Sequence, residues 1–268
     1  MGDAPSGKKP YLNLLMVMYW IGRSTRADIL STCVFFAYFS NCYNDEIYEE
    51  LLVVLNYLYH TRDYALLMDL SKFKFDKHKP LNFQLICDAN FANRDDRKSL
   101  IGVFGFLEGC MIFAHCKTMT TVSTSSAQSE SHALFQSWML AKFMNSWCQF
   151  LSIPLGMQQV LKIPIPIFGD SEAARAILTK YINTSRVKHF DVQVFAVRDD
   201  YVSGFVDIIH ISRVHNISDI LTHRPTTDHL TNFCAYIYVR LIFEEVETVP
   251  VPTTKPSSHM LIIFKNTN

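Results

Sequence analysis

The sequence lacks several features that would assign it to a class at once. Lysine and arginine number 25, and so do aspartate and glutamate, so the formal net charge is zero. This balance excludes a strongly basic or acidic protein, and any affinity for nucleic acid has to come from a local patch. The longest apolar runs, such as 14–21, are well short of the roughly 20 residues that a membrane span needs. No internal repeat is visible.

Paired cysteines are also absent. The chain has seven cysteines, an odd number, and no two of them form a C-x-x-C motif. We interpret them as reduced, small apolar residues rather than as a disulfide framework. No signal peptide precedes the first apolar run, because Asp3 and the basic stretch 8–10 come first. These features predict an intracellular protein, either cytoplasmic or nuclear.

What the chain does contain is enough apolar residues, 49% of 268, to bury a sizeable core. Residues 1–10 are small, polar and basic, which predicts a disordered N-terminus. Residues 11–71 show helical periodicity, with Asn44 as the predicted cap of a helix. The basic stretch 72–81 contains a proline near its end, and we interpret it as a linker.

Beyond the linker the pattern changes to short strands, and we assign residues 82–225 to one domain. The predicted strands are at 84–90, 100–107, 111–117, 163–169 and 205–212, and the predicted helices are at 127–150, 171–178, 189–201 and 217–222. Glu108 and Gly109 form a two-residue hairpin turn. An antiparallel start followed by alternating strands and helices predicts an α/β mixed sheet with helices on its faces. Residues 226–268 then form a C-terminal segment with a helix at 228–239.

Two prolines qualify this pattern. Pro164 and Pro166 fall in the fourth predicted strand. Because proline cannot donate a ladder hydrogen bond, they predict that part of this stretch is either an edge of the sheet or a segment that enters the strand.

Four acidic residues lie within these elements or at their ends. Asp88 lies within the first strand of the domain, Glu130 in the first turn of the long helix, Asp170 at a strand end and helix N-cap, and Asp219 in the first turn of the last helix. At least 40 residues separate each acid from the next, so only a folded sheet could gather them. Close carboxylates repel one another, and a pair of Mg²⁺ ions reverses that cost. Such a pair also catalyses phosphoryl displacement.

Each acid also has a purely structural explanation. Capping explains Asp170, and complementing a helix dipole explains Glu130 and Asp219. Asp88 is harder to explain, because aspartate is disfavoured inside strands. Spacing alone therefore leaves a metal site and structural roles both open.

Five sequence blocks carry a resemblance to a known family. They are CDANFANRDDRKSLIG (87–102), STSSAQSESHAL (123–134), IFGDSEAARAIL (167–178), SRVKHFDVQVFAVRD (185–199) and NISDILTHRP (216–225). In this order they resemble the ribonuclease H domain of copia-type LTR retrotransposon Pol polyproteins. Upstream, RSTRADI (23–29) and LNYLYHTRDYAL (55–66) resemble the segment after the polymerase palm in the same polyproteins. The resemblance covers about residues 11–232.

The resemblance implies a ribonuclease H-like fold, a five-stranded mixed sheet flanked by helices and preceded by a small helical segment. It assigns Asp88, Glu130, Asp170 and Asp219 as catalytic residues and as ligands of two Mg²⁺ ions, with Mn²⁺ as a substitute. The implied activity is hydrolysis of the RNA strand of RNA–DNA hybrids, giving a 3′-hydroxyl and a 5′-phosphate. The polymerase palm of the parent polyprotein is an expected partner, and the cytoplasmic location would then be a virus-like particle.

Further residues are assigned by their place in the blocks. His215 is a candidate for the histidine that many ribonucleases H place before the last acid, although copia-type sequences do not usually show it there. The candidates for contacts with the hybrid are Arg94, Arg97, Lys98, Arg186, Lys188 and His189. The alternatives are a solvated turn for 97–98 and a packed helix-start residue for His189.

The sequence also departs from the family pattern. Asn90 stands where the family has a second aspartate, Phe91 replaces a tryptophan, Asn93 a glycine and His223 a lysine. No Y-x-D-D polymerase motif, integrase His/Cys motif or protease D-S/T-G motif occurs, so the chain is not a reverse transcriptase by itself. A catalytically inactive remnant, or a host-adopted binding or interaction module with the same fold, is therefore the alternative function. An integrase-like nuclease is a third reading, which the order of the acids disfavours.

Overall fold

The structure is a computed structural model that describes residues 9–69, 76–92, 96–180, 191–223 and 226–240. Four of the predicted substrate-binding residues, Arg94, Arg186, Lys188 and His189, lie outside these ranges, as do most of the predicted disordered N-terminus, part of the predicted linker and the tail beyond 240. The chain divides into two compact units. The described part of unit one is 9–67 together with 226–240, and that of unit two lies between 68 and 223.

The elements of both units follow in chain order. They are α1 (Tyr11–Ser24), a 3₁₀ turn (Ala27–Ile29), α2 (Leu30–Ala37), α3 (Asp45–His60), β1 (Tyr64–Leu66), β2 (Phe83–Asn90), β3 (Leu100–Leu107), β4 (Cys110–Thr118), α4 (Ser126–Leu155), β5 (Ile165–Gly169), α5 (Glu172–Thr179), α6 (Asp191–Val202), β6 (Val206–His210), a second 3₁₀ turn (Arg213–His215), α7 (Asp219–Thr222), α8 (Thr227–Ile237) and β7 (Tyr238–Arg240). None of the helices in the described ranges combines the length and the apolar character needed to cross a membrane.

Unit one is mainly helical, with a short two-stranded sheet. Helices α1, α2 and α3 share a core that includes the buried side chains of Tyr11, Leu15 and Leu51. The predicted cap is confirmed, because the Asn44 side chain accepts a hydrogen bond from the backbone N–H of Ile47 at 2.9 Å. Strand β1 pairs antiparallel with β7. Neither strand was predicted, since three residues carry too little periodicity to identify a strand.

A buried ion pair connects distant parts of unit one. Arg26 Nη2 lies 2.8 Å from Asp28 Oδ2, and Arg26 also donates to the Thr61 backbone carbonyl at 2.9 Å. The hydroxyls of Tyr57 and Tyr238 donate to the Asp28 carboxylate at 2.8 and 3.0 Å. Buried charges are tolerated when they are paired and fully hydrogen-bonded. This network therefore links the first helices, the end of α3 and the C-terminal strand of the same unit.

Unit two is built on a five-stranded sheet in the order β4-β3-β2-β5-β6. The β2–β3 and β3–β4 pairs are antiparallel, and the β2–β5 and β5–β6 pairs are parallel. Helix α4 packs on the sheet through a core that includes Leu85, Leu134 and Ile167. The mixed sheet predicted from the sequence is confirmed.

The hairpin turn between β3 and β4 is also confirmed. Glu108 and Gly109 both have positive φ, 49° and 81°, which is the backbone that a tight two-residue hairpin requires. The Glu108 carboxylate accepts from the backbone N–H of Asn82 at 2.6 Å, so the turn is held from a third segment.

Of the two possibilities predicted for the prolines of the fourth strand of the domain, the edge position is wrong, whereas Pro164 does lie in the segment that enters the strand, just before Ile165. Strand β5 lies between β2 and β6, in the interior of the sheet. Pro166 is tolerated there because its register partner in β6 is Asp207, while pairing with β2 begins only at Ile167. The backbone N–H of Ile165 donates to the Phe205 carbonyl, on the β6 side of the strand. Successive residues of a strand direct their backbone nitrogens to opposite sides, so the nitrogen of Pro166 faces β2, at a position before the pairing with β2 begins.

Candidate metal centre

The fold brings all four predicted acids together beside the C-terminal ends of strands β2 and β5. Asp88 lies in the central strand β2, and Asp170 follows the last residue of the parallel strand β5. Ligand oxygens of Asp88, Glu130 and Asp170 lie within 4.8 Å of one another. Ligand atoms of Asp88, Asp219 and His223 do so as well. Asp88 is therefore shared between two possible sets of metal ligands.

Two details of the predicted positions are wrong. Helix α4 begins at Ser126 with Ser125 as its N-cap, so Glu130 lies beyond the first turn. The N-cap of α5 is Ser171, whose side chain accepts from the backbone N–H of Ala174 at 3.2 Å. Asp170 precedes this cap and does not serve as one. The structural explanations offered for these two acids are thereby weakened.

Helix α7 approaches the sheet closely because one position of β3 has no side chain. Gly102 pairs with Asp88 in the β2–β3 register. A Cβ at Gly102 would lie 2.5 Å from Leu221 Cβ, closer than real side chains permit. The Cys116 thiol donates to the Leu221 carbonyl at 3.1 Å and holds the same turn from β4. This close packing places Asp219 and its neighbours beside Asp88.

The carboxylate of Asp88 is buried, with 2% of its surface exposed, and neutral donors orient it. Thr222 Oγ1 donates to Oδ2, and Asn216 Nδ2 donates to Oδ1 at 3.4 Å. Asn216 is held in turn, because it also donates to the Cys87 carbonyl at 3.2 Å and accepts from the Ser218 hydroxyl. The loop before α7 thus fixes the orientation of a strand residue more than 120 positions earlier.

Burial and mutual repulsion make these carboxyls difficult to ionise. Burial raises the pKa of Asp88 to about 7; the Thr222 hydrogen bond, next in size, opposes the shift, and the charges of Asp219 and Asp170 add to it. Burial, Asp88 and Asp170 raise the pKa of Glu130 to about 9, against a hydrogen bond from the Ala89 backbone.

Buried carboxyls that repel one another form a favourable site for a divalent cation, which would offset both the repulsion between them and the cost of removing their charges from water. Oxygen ligands at these spacings fit Mg²⁺ or Mn²⁺, and an imidazole nitrogen would favour a softer metal. Asp88, Glu130, Asp170 and Asp219 are therefore the residues that could hold such ions.

His223 is the residue of the centre that sequence reasoning missed as a site residue. Its Nε2 lies 3.6 Å from Asp88 Oδ2, and its Nδ1 lies 3.3 Å from Asn90 Nδ2. Burial lowers the pKa of His223, against the charge of Asp219, and so favours the neutral ring. The available signal was that both Asn90 and His223 depart from the family blocks, but nothing in the sequence showed that the two departures meet.

A basic residue at the centre was also missed. Arg213 Nε lies 3.8 Å from Asp219 Oδ2, and the arginine side chain is largely exposed. His210 Nε2 is 3.1 Å from the Asp170 backbone carbonyl. His210 is the last residue of β6 and Arg213 begins the second 3₁₀ turn. Neither residue belongs to one of the five sequence blocks.

The remaining predicted residues lie apart from these contacts. His215 is exposed in the second 3₁₀ turn and, among the described residues, is in neither of the two ligand sets. Lys98 Nζ pairs with Asp96 at 3.7 Å, and Arg97 is exposed with a φ of 57°. Their predicted contacts with a nucleic acid stay predictions.

The order and direction of the strands, with helices on the faces, give unit two a ribonuclease H-like fold. Two solved structures are similar to the chain. LC11-RNase H1, isolated from compost by a metagenomic approach, is 17% identical, with 53% of this chain and 92% of that chain covered and a TM-score of 0.38. RNase H1 from the halophilic archaeon Halobacterium salinarum is 16% identical, with 54% and 95% covered and a TM-score of 0.36.

The relatives found by sequence are transposon polyproteins. The Transposon Ty1-ER2 Gag-Pol polyprotein of Saccharomyces cerevisiae is 25% identical over 173 residues, which are 63% of this chain and 9% of that protein. The Retrovirus-related Pol polyprotein from transposon RE1 of Arabidopsis thaliana is 24% identical over 216 residues, 80% of this chain and 14% of that protein. Homology to copia-type Pol polyproteins, predicted from the five blocks, is confirmed. No family model matches the chain.

The chain spans only about a tenth of the length of these relatives.

Proposed function

We propose that unit two is a divalent-metal-dependent ribonuclease H that hydrolyses the RNA strand of RNA–DNA hybrids as part of a copia-type Pol polyprotein. The observation that carries the proposal is that Asp88 belongs to both ligand sets, one with Glu130 and Asp170 and one with Asp219 and His223. A shared carboxylate between two ligand sets is what a pair of ions a few ångströms apart would need.

Two Mg²⁺ ions in such an arrangement supply an activated water and stabilise charge on the leaving oxygen. The chain's own contribution is to hold the carboxylates in place before substrate arrives. Thr222 and Asn216 each donate to one oxygen of Asp88, so this side chain cannot rotate away. Hydrolysis breaks the bond between phosphorus and the 3′ oxygen, and that oxygen leaves as a hydroxyl.

Exposed basic residues would meet the hybrid. Arg213 lies next to Asp219 with most of its side chain in solvent, so its guanidinium can reach a phosphate. We propose the same role for Arg97 and Lys98, and for Arg94, Arg186, Lys188 and His189 outside the described residues. We also propose that residues 82–225 form the ribonuclease H domain, between the helical segment 11–71 with its linker 72–81 and the C-terminal segment 226–268, and that the polymerase palm of the parent polyprotein is a partner.

Cleavage of a labelled RNA–DNA hybrid by the full chain with Mg²⁺ tests the proposal. We expect Asp88→Asn to reduce the rate by roughly 10²-fold or more, the scale seen when charge stabilisation is removed from a transition state. The exposed Asp199 on α6 provides the matched control, and Asp199→Asn should cleave like the wild type.

Equal cleavage by wild type and Asp88→Asn would contradict the assignment. Hybrid binding without cleavage by the wild type would support the non-catalytic alternative, a remnant or an adopted binding module.

A further inference from the structure

Asn90 and His223 form a pair at the rim of the candidate metal centre. Asn90 is the last residue of β2, and His223 directly follows α7. Asn90 Nδ2 lies 3.0 Å from the Thr222 carbonyl oxygen and 3.3 Å from His223 Nδ1. Both residues are partly buried, and 36% of the His223 side chain is exposed.

The Thr222 carbonyl determines which way the Asn90 amide points. A carbonyl oxygen can only accept, so the atom of Asn90 that faces it has to be the NH₂ group. An amide NH₂ carries two hydrogens, and the second is directed at His223 Nδ1. The orientation of this amide therefore follows from a backbone atom.

The Asn90 amide in turn determines which nitrogen of His223 carries the proton. A ring nitrogen that accepts a hydrogen bond has no hydrogen of its own, so Nδ1 is unprotonated. In a neutral imidazole the hydrogen is then on Nε2, the atom that faces Asp88 Oδ2 at 3.6 Å. An N–H at this position turns its hydrogen toward the carboxylate, at a distance beyond a direct hydrogen bond, and has no lone pair to offer a metal ion.

We propose that Asn90 holds His223 as an N–H donor beside Asp88, so that the centre keeps only oxygen ligands and prefers hard cations such as Mg²⁺ or Mn²⁺ over Zn²⁺ or Co²⁺. The inference rests on the proposed function, because it assumes that the carboxylates bind a divalent ion. Imidazole nitrogen is a favoured ligand of Zn²⁺ and Co²⁺, whereas Mg²⁺ takes oxygen.

Replacing Asn90 by aspartate reverses the arrangement. A carboxylate can only accept, so it loses the hydrogen bond to the Thr222 carbonyl, turns away from that oxygen and accepts from a proton on His223 Nδ1. The Nε2 lone pair is then free to face the centre. Asn90→Asp should thus convert His223 from a donor into a metal ligand with a change of a few atoms.

Two measurements on the full chain test the proposal. In the metal-free protein, long-range ¹H–¹⁵N correlation spectra of labelled histidines should show His223 protonated on Nε2, and protonated on Nδ1 in Asn90→Asp. In the Mn²⁺-loaded protein, pulsed electron paramagnetic resonance should show no directly bound nitrogen in the wild type and a bound nitrogen in Asn90→Asp. The affinity of Asn90→Asp for Co²⁺ should rise by roughly 10-fold or more, as ligand-orienting contacts commonly change it.

His223→Ala identifies the His223 signal in the spectra, and Asn90→Asp combined with His223→Ala should lose the bound nitrogen. A wild-type ring protonated on Nδ1, or a nitrogen bound to Mn²⁺ in the wild type, would overturn the proposal even if cleavage is normal. An absence of Mn²⁺ binding to the wild type would instead overturn the proposed function, while the tautomer measurement would still decide whether Asn90 controls His223.

Discussion

Thr222 and Asp88 are 134 residues apart in the chain, and the Thr222 hydroxyl donates a buried hydrogen bond to the Asp88 carboxylate. The contact joins the last residue of α7 to the central strand of the sheet. It stabilises the ionised form of an acid that burial and two other carboxylates make hard to ionise.

Thr222→Val removes this donor with little change of shape. We expect the pKa of Asp88 to rise above about 7, because the hydrogen bond to its charged form is lost. The free energy of unfolding should fall by about 1–3 kcal/mol, the cost of leaving a buried acceptor unsatisfied. Carbon-detected titration of the Asp88 carboxyl and urea unfolding measure the two effects. Thr120→Val, at an exposed site, should change neither, and an unshifted pKa in Thr222→Val would contradict the role of the hydroxyl.

Stability without divalent ions should depend on pH through Glu130. Its pKa rises from an ordinary value of 4.5 to about 9 in the folded protein, mainly by burial. The folded state therefore binds more protons than the unfolded state between these pKa values, and stability falls as pH rises through that window. In the presence of a chelator we expect the free energy of unfolding to fall by roughly 2 kcal/mol or more from about pH 5 to about pH 9.

Urea unfolding across this pH range checks the Glu130 prediction. Glu130→Gln should remove much of the slope, and Glu46→Gln, on an exposed part of α3, should keep it. An unchanged slope in Glu130→Gln would place the titrating group elsewhere.

Divalent ions should stabilise the folded chain. A ligand that binds only the folded state at about 100 times its Kd adds about 2.7 kcal/mol. Scanning calorimetry with and without Mg²⁺ or Mn²⁺ should therefore show a higher Tm with the ion for the wild type. Asp88→Asn removes the ligand shared by both sets and should lose most of this increase, whereas Asp199→Asn should retain it. An equal increase in Asp88→Asn would show that the ions bind elsewhere.

Gly102→Ala should displace α7. The added Cβ would meet Leu221 Cβ at 2.5 Å, so the helix has to move away from β3 and carry Asp219 with it. We expect a loss of about 1–3 kcal/mol in unfolding free energy, the usual cost of overpacking, and a clear loss of cleavage. The double variant Gly102→Ala, Leu221→Gly removes the overlapping Cβ and should recover part of the cleavage, and a single variant with full activity would contradict this account of the packing.

The buried ion pair of unit one gives a prediction away from the candidate metal centre. Arg26→Met leaves Asp28 as a buried charge without its partner, which should cost about 3–5 kcal/mol. Tyr238→Phe removes only one hydrogen bond to Asp28 and should cost about 1–3 kcal/mol because the acceptor is charged. Urea unfolding of the two variants checks the ranking, and an equal or smaller loss for Arg26→Met would contradict it.

Local patterns were sufficient to predict much of the fold. Short apolar stretches identified β2, β3 and β4, and Glu108–Gly109 identified the turn between the last two. The interior position of β5 could not be predicted, since Pro166 is tolerated only because of where its pairing with β2 begins. Strands β1 and β7 depend on a pairing between opposite ends of the chain, which no local window contains.

For the candidate metal centre, the sequence predicted the acidic residues but few of the neighbouring residues that orient them. The five blocks marked Asp88 and Asp219, and the structure brings these together. Their supporting residues, such as Thr222 and Asn216, are ordinary polar residues whose importance depends on a hydrogen bond across the fold. Asn90 and His223 were noticed only as departures from the family, and their contact turns two separate substitutions into one coupled pair.

The pairing of β1 with β7 has a consequence for the order of events during synthesis. Unit two is inserted between the two parts of unit one along the chain. A ribosome completes all of unit two before it reaches Tyr238, so β1 remains an unpaired edge during that interval. Unpaired edges invite association with other chains. The nascent protein is therefore most prone to aggregate through β1 just before β7 emerges, and a stop codon ahead of β7 would make that exposure permanent.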